Sequence, residues 1–302
     1  MTTTPGIFVQ MTIAAHASVS LTTLLRLGRV SNLPTVWTNV LAGAVLAGGD
    51  WRSWRLGFVL LAMSLFYVGG MYLNDYFDRA VDARERPERP IPSGVISARA
   101  VGAIGLGLLG GGFTLIAAVG TLTANALAAL LAGTIVAYDF HHKGNPVAPL
   151  VMGACRALVY AATAAALTGG VSMLVVVAAV AVAAYVAGLT YAARQENLDK
   201  VGNLWPLALL VAPMVVAVGA FRHGFDAIAI HLLLVGWTGA AAYLLAKRPA
   251  AGSVSRAVAW LIAGISLCDA ALLASIGTIT PALVAIGGFF LTLVSQKYVA
   301  GT

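Results

Sequence analysis

The chain has 302 residues, of which 60% are hydrophobic and only 10% are charged, and its mean hydropathy is +0.91. Soluble domains carry about 25% charged residues, so this composition excludes a water-soluble globular protein and predicts an integral membrane protein. The net charge of +7 does not indicate a nucleic-acid partner, because the basic residues lie in short loops between apolar segments, where they mark membrane orientation.

Residues 1–30 are expected to form a cytosolic N-terminal segment, with a surface helix leading to Arg26 and Arg29. The first 25 residues lack a basic n-region and a small-residue cleavage site, so we expect no cleaved signal peptide.

Apolar runs of about 20 residues, each able to cross the hydrocarbon layer, then follow one another along the chain. They predict an all-α, polytopic transmembrane bundle of about nine to ten spans, in a single domain covering residues 1–302. The runs are 33–49, 56–74, 100–119, 122–138, 147–168, 171–191, 204–221, 226–246, 256–275 and 279–296.

The loop charges predict the orientation of the bundle. With the N-terminus in the cytosol, 14 of the 18 Lys and Arg residues fall in cytosolic segments and 3 fall outside, as the positive-inside rule requires. Most carboxylates also fall on the cytosolic side, which this rule does not explain. Their clustering indicates a charged site at the cytosolic mouth.

The richest charged stretch is residues 74–94, NDYFDRAVDARERPERPIPSG. Asp75, Asp78 and Asp82 are spaced i, i+3, i+7, which places them on one helical face. Three such carboxylates repel one another unless a cation lies among them, and Mg²⁺ prefers oxygen ligands together with substrate phosphate oxygens. Asn74 can add an amide oxygen or orient a ligand.

Arginines follow this carboxylate face at Arg84, Arg86 and Arg89, and arginine binds phosphate through two parallel hydrogen bonds. Carboxylates for a metal beside guanidinium groups for phosphate indicate a metal–diphosphate site. The alternative is a solvated loop in which the arginines serve membrane orientation and pair with the carboxylates.

Further polar residues lie at membrane depth or at span ends. Lys143 and Arg156 are interpreted as phosphate contacts, although Lys143 also fits a simple positive-inside anchor and Arg156 a structural hydrogen-bonding role. The adjacent His141 and His142 point about 100° apart on a helix and make a poor metal pair, so loop polarity is the preferred interpretation. Asp269 in the ninth apolar run has no obvious partner and is left unassigned.

A second acidic element, ARQENLDKVGN, follows the sixth run, where Glu196, Asp199 and Asn203 repeat the i, i+3, i+7 spacing. It suggests a second cation or a facing wall of the same site. Cys155 and Cys268 lie in apolar runs without metal-ligand spacing and are expected to be buried free thiols.

The stretch NDYFDRAVD followed by RPERPIPSG resembles the first aspartate-rich motif of the UbiA-type intramembrane prenyltransferases. This resemblance implies a bundle around a central cavity, capped by two aspartate-rich loops that bind Mg²⁺ and an isoprenoid diphosphate. It assigns Asp75, Asp78, Asp82, Glu196 and Asp199 as catalytic and metal-binding residues. It implies substrate binding by Asn39, Asn74, Arg86, Arg89, Tyr138, Lys143, Arg156 and Asn203.

The second motif departs from the family pattern D-x-x-D-x-x-G-D. Gly202 is in place, but Glu196 replaces the first Asp and Asn203 the last. Asparagine brings no charge, so the second cation site is expected to be weaker or the acceptor unusual. The altered motif most resembles the EboC-like branch, found in bacterial gene clusters for specialised metabolites.

The function implied is Mg²⁺-dependent transfer of a prenyl group to a lipophilic or aromatic acceptor within the cell (inner) membrane, with the active-site loops facing the cytosol. Aromatic faces could stabilise the allylic cation; the candidates are Tyr72, Tyr76, Phe77, Tyr185 and Tyr191. The alternative is a non-catalytic protein that binds or transports a prenyl lipid.

Overall fold

The computed structural model describes residues 19–195 and 202–299, and every regular element in this part of the chain is helical. Most of the predicted N-terminal segment lies outside the described residues. The elements are α1 Leu21–Leu27, a 3₁₀ turn Val30–Asn32, α2 Leu33–Leu46, α3 Trp54–Glu85, α4 Ala98–Val119, α5 Leu122–His141, α6 Ala148–Thr168, α7 Met173–Ala193, a 3₁₀ helix Trp205–Val211, α8 Ala212–Val216, a 3₁₀ helix Ala217–Arg222, α9 Phe225–Lys247, α10 Ser253–Ala274 and α11 Ile279–Ser295.

Eight of the described helical segments are long and apolar enough to cross a membrane. They correspond to eight of the ten predicted runs, and the all-α bundle is confirmed. The first and last runs form α2 and α11, which are shorter at 14 and 17 residues. The run at 204–221 is one continuous segment in which α8 is flanked by 3₁₀ helices.

Local sequence signals explain where the long helices begin. A hydroxyl side chain before each of four helices accepts a hydrogen bond from a backbone N–H of the first turn, which satisfies one of the otherwise unpaired donors. These residues are Ser53 before α3, Ser97 before α4, Thr121 before α5 and Ser172 before α7. Pro34 and Pro149 stand in the first turns of α2 and α6, where a missing N–H costs nothing.

The described core has three apolar clusters, and the two larger ones both include residues of α2 and α6. One cluster extends into α7, α9, α10 and α11, and the other into α3, α4 and α5. The most enclosed of the described spans is α10, in which most residues are buried. Helices α3 and α4 cross closely at Gly69. A Cβ at this position would lie 2.9 Å from the carbonyl oxygen of Gly105, so the close approach requires glycine.

The length of α3 determines the position of the acidic motif. Its 32 residues span about 48 Å at 1.5 Å per residue, whereas the hydrocarbon layer is about 30 Å thick. Roughly the last twelve residues of α3 therefore extend beyond the layer, and Asp75, Asp78 and Asp82 lie on this extension. The sequence predicted a span ending near residue 74 and did not predict that the same helix continues through the motif.

Candidate active site

The predicted carboxylate face is present on the extension of α3. Asp75, Asp78 and Asp82 retain only 8%, 6% and 4% of their accessible surface. Carboxylates this buried require charged or hydrogen-bonding partners. The face therefore points into the protein. The solvated loop of the alternative interpretation is not observed for these three residues, although Arg89 does pair with Asp75 and Asp82 as that interpretation expected.

Basic side chains from two segments contact the carboxylates. Arg89 Nη1 lies 2.8 Å from Asp82 and 3.6 Å from Asp75. Lys143 Nζ and His142 Nε2 each lie 3.4 Å from an oxygen of Asp78. The interpretation of His142 as loop polarity is therefore wrong, because its ring contacts an acidic-motif residue.

Arg29 is a site residue that the sequence analysis did not identify. Its Nη2 donates to Asn74 Oδ1 at 3.2 Å and to Asp75 Oδ1 at 3.3 Å. Its backbone is left-handed, with φ of 42°, a strained conformation for an arginine. The Tyr67 hydroxyl donates to the Arg29 carbonyl oxygen at 3.2 Å. Arg29 lies 45 positions before Asn74, so no local spacing pattern links the two.

Asn74 joins the acidic motif to the end of α5. Its oxygen accepts from Arg29, and its Nδ2 donates to Asp139 Oδ1 at 3.2 Å. Asp139 is 3% exposed, and its second carboxylate oxygen has no hydrogen-bond partner within the described protein. Asp139 was assigned no role from the sequence.

A polar cavity opens beside these residues. It contains about 1120 Å³ of empty space, including its mouth. Of the predicted site residues, those in its wall are Asp78, Asp82, Arg86, Arg89, Tyr138, Lys143 and Arg156. Hydrophobic side chains of α7 and α10 form the opposite wall. The sequence had therefore selected much of one cavity from positions up to 78 residues apart.

An apolar pocket with about 550 Å³ of empty space, including its opening, lies between α3, α5 and α6 and shares part of its lining with the polar cavity. The residues that line both spaces are Tyr67, Met71, Tyr138, Met152 and Arg156. Most other lining groups of the apolar pocket are hydrophobic, including Leu131 and Val159. The two spaces together suit a ligand with an anionic head and a hydrocarbon tail.

Arg156 lies at this junction and is held from the other side by a buried network. Its Nη1 donates to Asn39 Oδ1 at 2.8 Å, and its Nη2 donates to Thr35 Oγ1 at 3.1 Å. Asn39 Nδ2 donates to both oxygens of Asp269, which also accepts from the Tyr160 hydroxyl. Asp269, left unassigned from the sequence, thus accepts hydrogen bonds from Asn39 and Tyr160.

The network changes the interpretation of Asn39. We predicted that Asn39 binds substrate, but its side chain is fully buried and is absent from the cavity walls described here. Both ends of its amide are occupied, by Arg156 and by Asp269. Its direct contacts therefore support a positioning role toward Arg156.

The side chains that line the cavity fit a Mg²⁺ ion that is shared with a phosphate ligand. Within residues 19–195 and 202–299, no group of three or more His, Cys, Asp or Glu side chains is arranged to hold a metal alone. Mg²⁺ commonly takes one or two carboxylates and completes its shell with phosphate oxygens and water. Asp78 and Asp82 both line the cavity beside Arg86, Arg89 and Lys143, and this is the mixed set that a metal–diphosphate pair requires.

The second acidic motif is only partly visible. Glu196 and Asp199 lie outside the described residues, so their metal-binding role stays a prediction. Asn203 is exposed, and its side-chain oxygen accepts a hydrogen bond from the Trp205 backbone N–H at 3.1 Å. In this position it closes a turn before the Trp205–Val211 helix and is not part of the cavity walls described above.

The aromatic candidates are mostly placed elsewhere. The Tyr72 and Tyr185 hydroxyls donate to backbone oxygens of Leu24 and Leu261, and Tyr76 packs edge-on against Phe77. Tyr191 packs against the larger apolar cluster. The aromatic rings in the cavity wall are instead those of Tyr67 and Tyr138. Both cysteines are free thiols, as expected, but only Cys268 is buried and Cys155 is partly exposed.

Comparison with known proteins places this geometry in context. A digeranylgeranylglyceryl phosphate synthase of Methanothrix thermoacetophila is 38% identical over 129 residues, which cover 42% of this chain and 47% of that protein. The similarity thus spans about half the length of that relative. The corresponding enzyme of Methanoculleus marisnigri is 28% identical over 225 residues, covering 73% of this chain and 80% of the relative.

Solved structures share the fold. A UbiA homolog from Archaeoglobus fulgidus, determined with GPP and Mg²⁺ bound, aligns with a TM-score of 0.61 at 14% identity, covering 85% of this chain and 99% of the homolog. A model of the UbiA prenyltransferase family matches residues 36–249, which include the first acidic motif, most of the residues that line the polar cavity and most of the spans. Since this match covers more than half of the sequence, the chain belongs to the UbiA prenyltransferase family.

Proposed function

We propose that this protein transfers a prenyl group from an isoprenoid diphosphate to a lipophilic or aromatic acceptor, with Mg²⁺ bound at the acidic motif. The observation that carries the proposal is that the polar cavity and the apolar pocket share five lining residues. Buried Asp78 and Asp82 face Arg89 and Lys143 at the polar end, and Tyr138 and Arg156 border the entry to an apolar pocket.

Each part of the cavity supports one requirement of this reaction. Asp78 and Asp82 would hold Mg²⁺ together with Glu196 and Asp199 of the second motif. Bound Mg²⁺ supplies charge stabilisation for the departing diphosphate. Arg86, Arg89 and Lys143 are positioned to bind phosphate oxygens from the same cavity wall.

The residues that line both spaces support the step in which the allylic carbon separates from diphosphate. A donor with its diphosphate in the polar cavity and its chain in the apolar pocket places the breaking C–O bond beside Tyr67 and Tyr138. Their ring faces can stabilise the positive charge that develops on the allylic carbon. The hydrophobic pocket wall excludes water, which would otherwise capture the cation.

We further propose that the acidic motifs face the cytosol at the cell (inner) membrane. The charge asymmetry of 14 cytosolic to 3 external basic residues supports this orientation. The acidic end of α3 and the Lys143 end of α5 would then meet a water-soluble diphosphate head group at the cytosolic surface, while the acceptor enters from lipid.

Purified protein in detergent or lipid nanodiscs, supplied with radiolabelled geranyl diphosphate and Mg²⁺, tests the proposal. Glyceryl ether phosphates and alkylphenols serve as acceptors. We expect a prenylated product and equimolar diphosphate, both abolished by a strong chelator and restored by Mg²⁺. Metal-dependent binding of geranyl diphosphate without turnover would favour the non-catalytic alternative, and chelator-insensitive turnover would overturn the role of Mg²⁺.

A further inference from the structure

Asp139 is a buried carboxylate that the metal–diphosphate scheme does not use. It lies in the last turn of α5, between the cavity residue Tyr138 and His142, which contacts Asp78. One of its oxygens, Oδ1, accepts a hydrogen bond from Asn74. The other, Oδ2, is buried and has no partner among the described residues.

Orientation of Asn74 does not account for this arrangement. A single acceptor oxygen holds the Asn74 amide, and an asparagine at position 139 would supply one without a charge. A carboxyl group adds a second oxygen, and a buried acceptor without a partner loses about 1–3 kcal/mol of hydrogen bonding. The unpaired oxygen therefore indicates a hydrogen-bond donor that arrives with a ligand.

The position of Asp139 indicates which ligand would bring this hydrogen-bond donor. Asp139 contributes to the wall of the apolar pocket, where it is the only carboxylate among the described lining residues. Its neighbour Tyr138 borders both spaces. A donor lying across the junction would place its reacting carbon on this side of the cavity, and the acceptor must approach the same carbon.

We propose that Asp139 is a catalytic residue that binds the nucleophilic hydroxyl of the acceptor and receives its proton. The inference rests on the proposed prenyl transfer and narrows the acceptor to a compound with an O–H group. The bond between the donor carbon and diphosphate breaks, and diphosphate leaves with the electron pair. The acceptor oxygen forms the new C–O bond, and its proton moves to Asp139 Oδ2.

The substitution Asp139→Asn tests the proposal without removing the contact to Asn74. The asparagine keeps an oxygen that can accept from Asn74 Nδ2, so we expect a folded protein that binds geranyl diphosphate and Mg²⁺ with unchanged affinity. General bases contribute about 10²–10⁴-fold to rate, and we expect a loss of that order in transfer to 4-octylphenol or to a glyceryl ether phosphate. Asp226→Asn, an exposed carboxylate at the start of α9, is the matched control and should transfer normally.

A thiol acceptor separates proton removal from a structural role. The thiol group of 4-octylthiophenol is far more acidic than a phenol and is substantially ionised near neutral pH, so its sulfur needs no base. The Asp139→Asn variant should therefore prenylate this sulfur at a rate within a few-fold of the unmodified protein. Equal losses for the phenol and the thiophenol, or no loss for the phenol, would overturn the assignment. Unmodified protein that prenylates only acceptors without an O–H group would overturn it as well.

Failure of the proposed function is distinguishable from failure of this inference. If the unmodified protein releases no diphosphate with any acceptor, the prenyl-transfer proposal itself fails. If it transfers to hydroxyl acceptors and Asp139→Asn does so at the same rate, the transfer proposal stands and Asp139 has no catalytic part in it.

Discussion

Asn39 donates from its amide nitrogen to both carboxylate oxygens of Asp269, at 2.9 and 2.8 Å. Both side chains are completely buried, and the two residues are 230 positions apart. Because the opposite end of the Asn39 amide accepts from Arg156, the carboxylate of α10 fixes the rotamer of an α2 residue that in turn holds a guanidinium at the cavity junction. A buried charge is thus connected to the site through a neutral amide.

We expect Asp269→Asn to weaken both the fold and the binding of the isoprenoid diphosphate. The variant would oppose one amide nitrogen to another and remove the negative charge, and breaking such a buried contact costs about 1–3 kcal/mol. Thermal unfolding in detergent should shift down by several degrees, and geranyl diphosphate should bind roughly tenfold more weakly, as expected for about 1.4 kcal/mol. Unchanged values for both quantities would show that the network does not position Arg156.

Whether a site residue could be predicted from the sequence depends on how far along the chain its contacts lie. The spacing of Asp75, Asp78 and Asp82 is a local helical property, so it could be predicted, and their shared face was found. Arg29 and Asp139 reach Asn74 only through the packing of distant segments, and no periodicity records such contacts. The polar character of Asn39 was visible in the sequence, but its partner on α10 was not.

The Asp78 carboxylate is expected to be required for turnover. Asp78 is 6% exposed, lies 3.4 Å from both Lys143 and His142, and lines the polar cavity. Replacing it with Asn keeps the shape and removes the charge that would contact Mg²⁺, so we expect at least a ~100-fold loss of prenyl transfer, the scale on which single electrostatic groups act in catalysis. Asp50→Asn, at an exposed position in the turn before α3, should have no effect. Normal turnover by Asp78→Asn would contradict the metal assignment.

Arg29 should be sensitive even to a substitution that keeps its charge. One guanidinium nitrogen bridges Asn74 and Asp75, and the ammonium group of lysine does not reproduce this planar geometry. We expect Arg29→Lys to lower kcat/KM for the donor about tenfold, whereas Arg26→Lys, at an exposed position on α1, should stay near the unmodified value. Equal kcat/KM values for the two variants would show that Arg29 has no role in the site.

The altered second motif predicts opposite effects of two substitutions. Asn203→Asp keeps an oxygen for the Trp205 N–H and adds a carboxylate, so the Mg²⁺ concentration for half-maximal activity should stay equal or fall. Asp199→Asn leaves Glu196 as the only acid among the three motif positions, so that concentration should rise and turnover should drop. Mg²⁺ titrations of both variants measure this. An Asp199→Asn variant that titrates and turns over like the unmodified protein would exclude the second motif from metal binding.

The apolar pocket should limit the length of the donor chain. Leu131 is 1% exposed and lines this pocket, whereas its neighbour Leu130 is 55% exposed on the outer surface of α5. Phenylalanine at position 131 would extend into the pocket and compete with the distal carbons of a long donor. Each lost CH₂ contact is worth about 0.8 kcal/mol, so displacing two or more should change relative kcat/KM by at least tenfold. We therefore expect Leu131→Phe to shift preference from geranylgeranyl toward geranyl diphosphate, measured by direct competition between the two donors. Leu130→Phe makes the same chemical change toward lipid and should leave the ratio unaltered. If both variants keep the same ratio as the unmodified protein, the prenyl chain does not occupy this pocket.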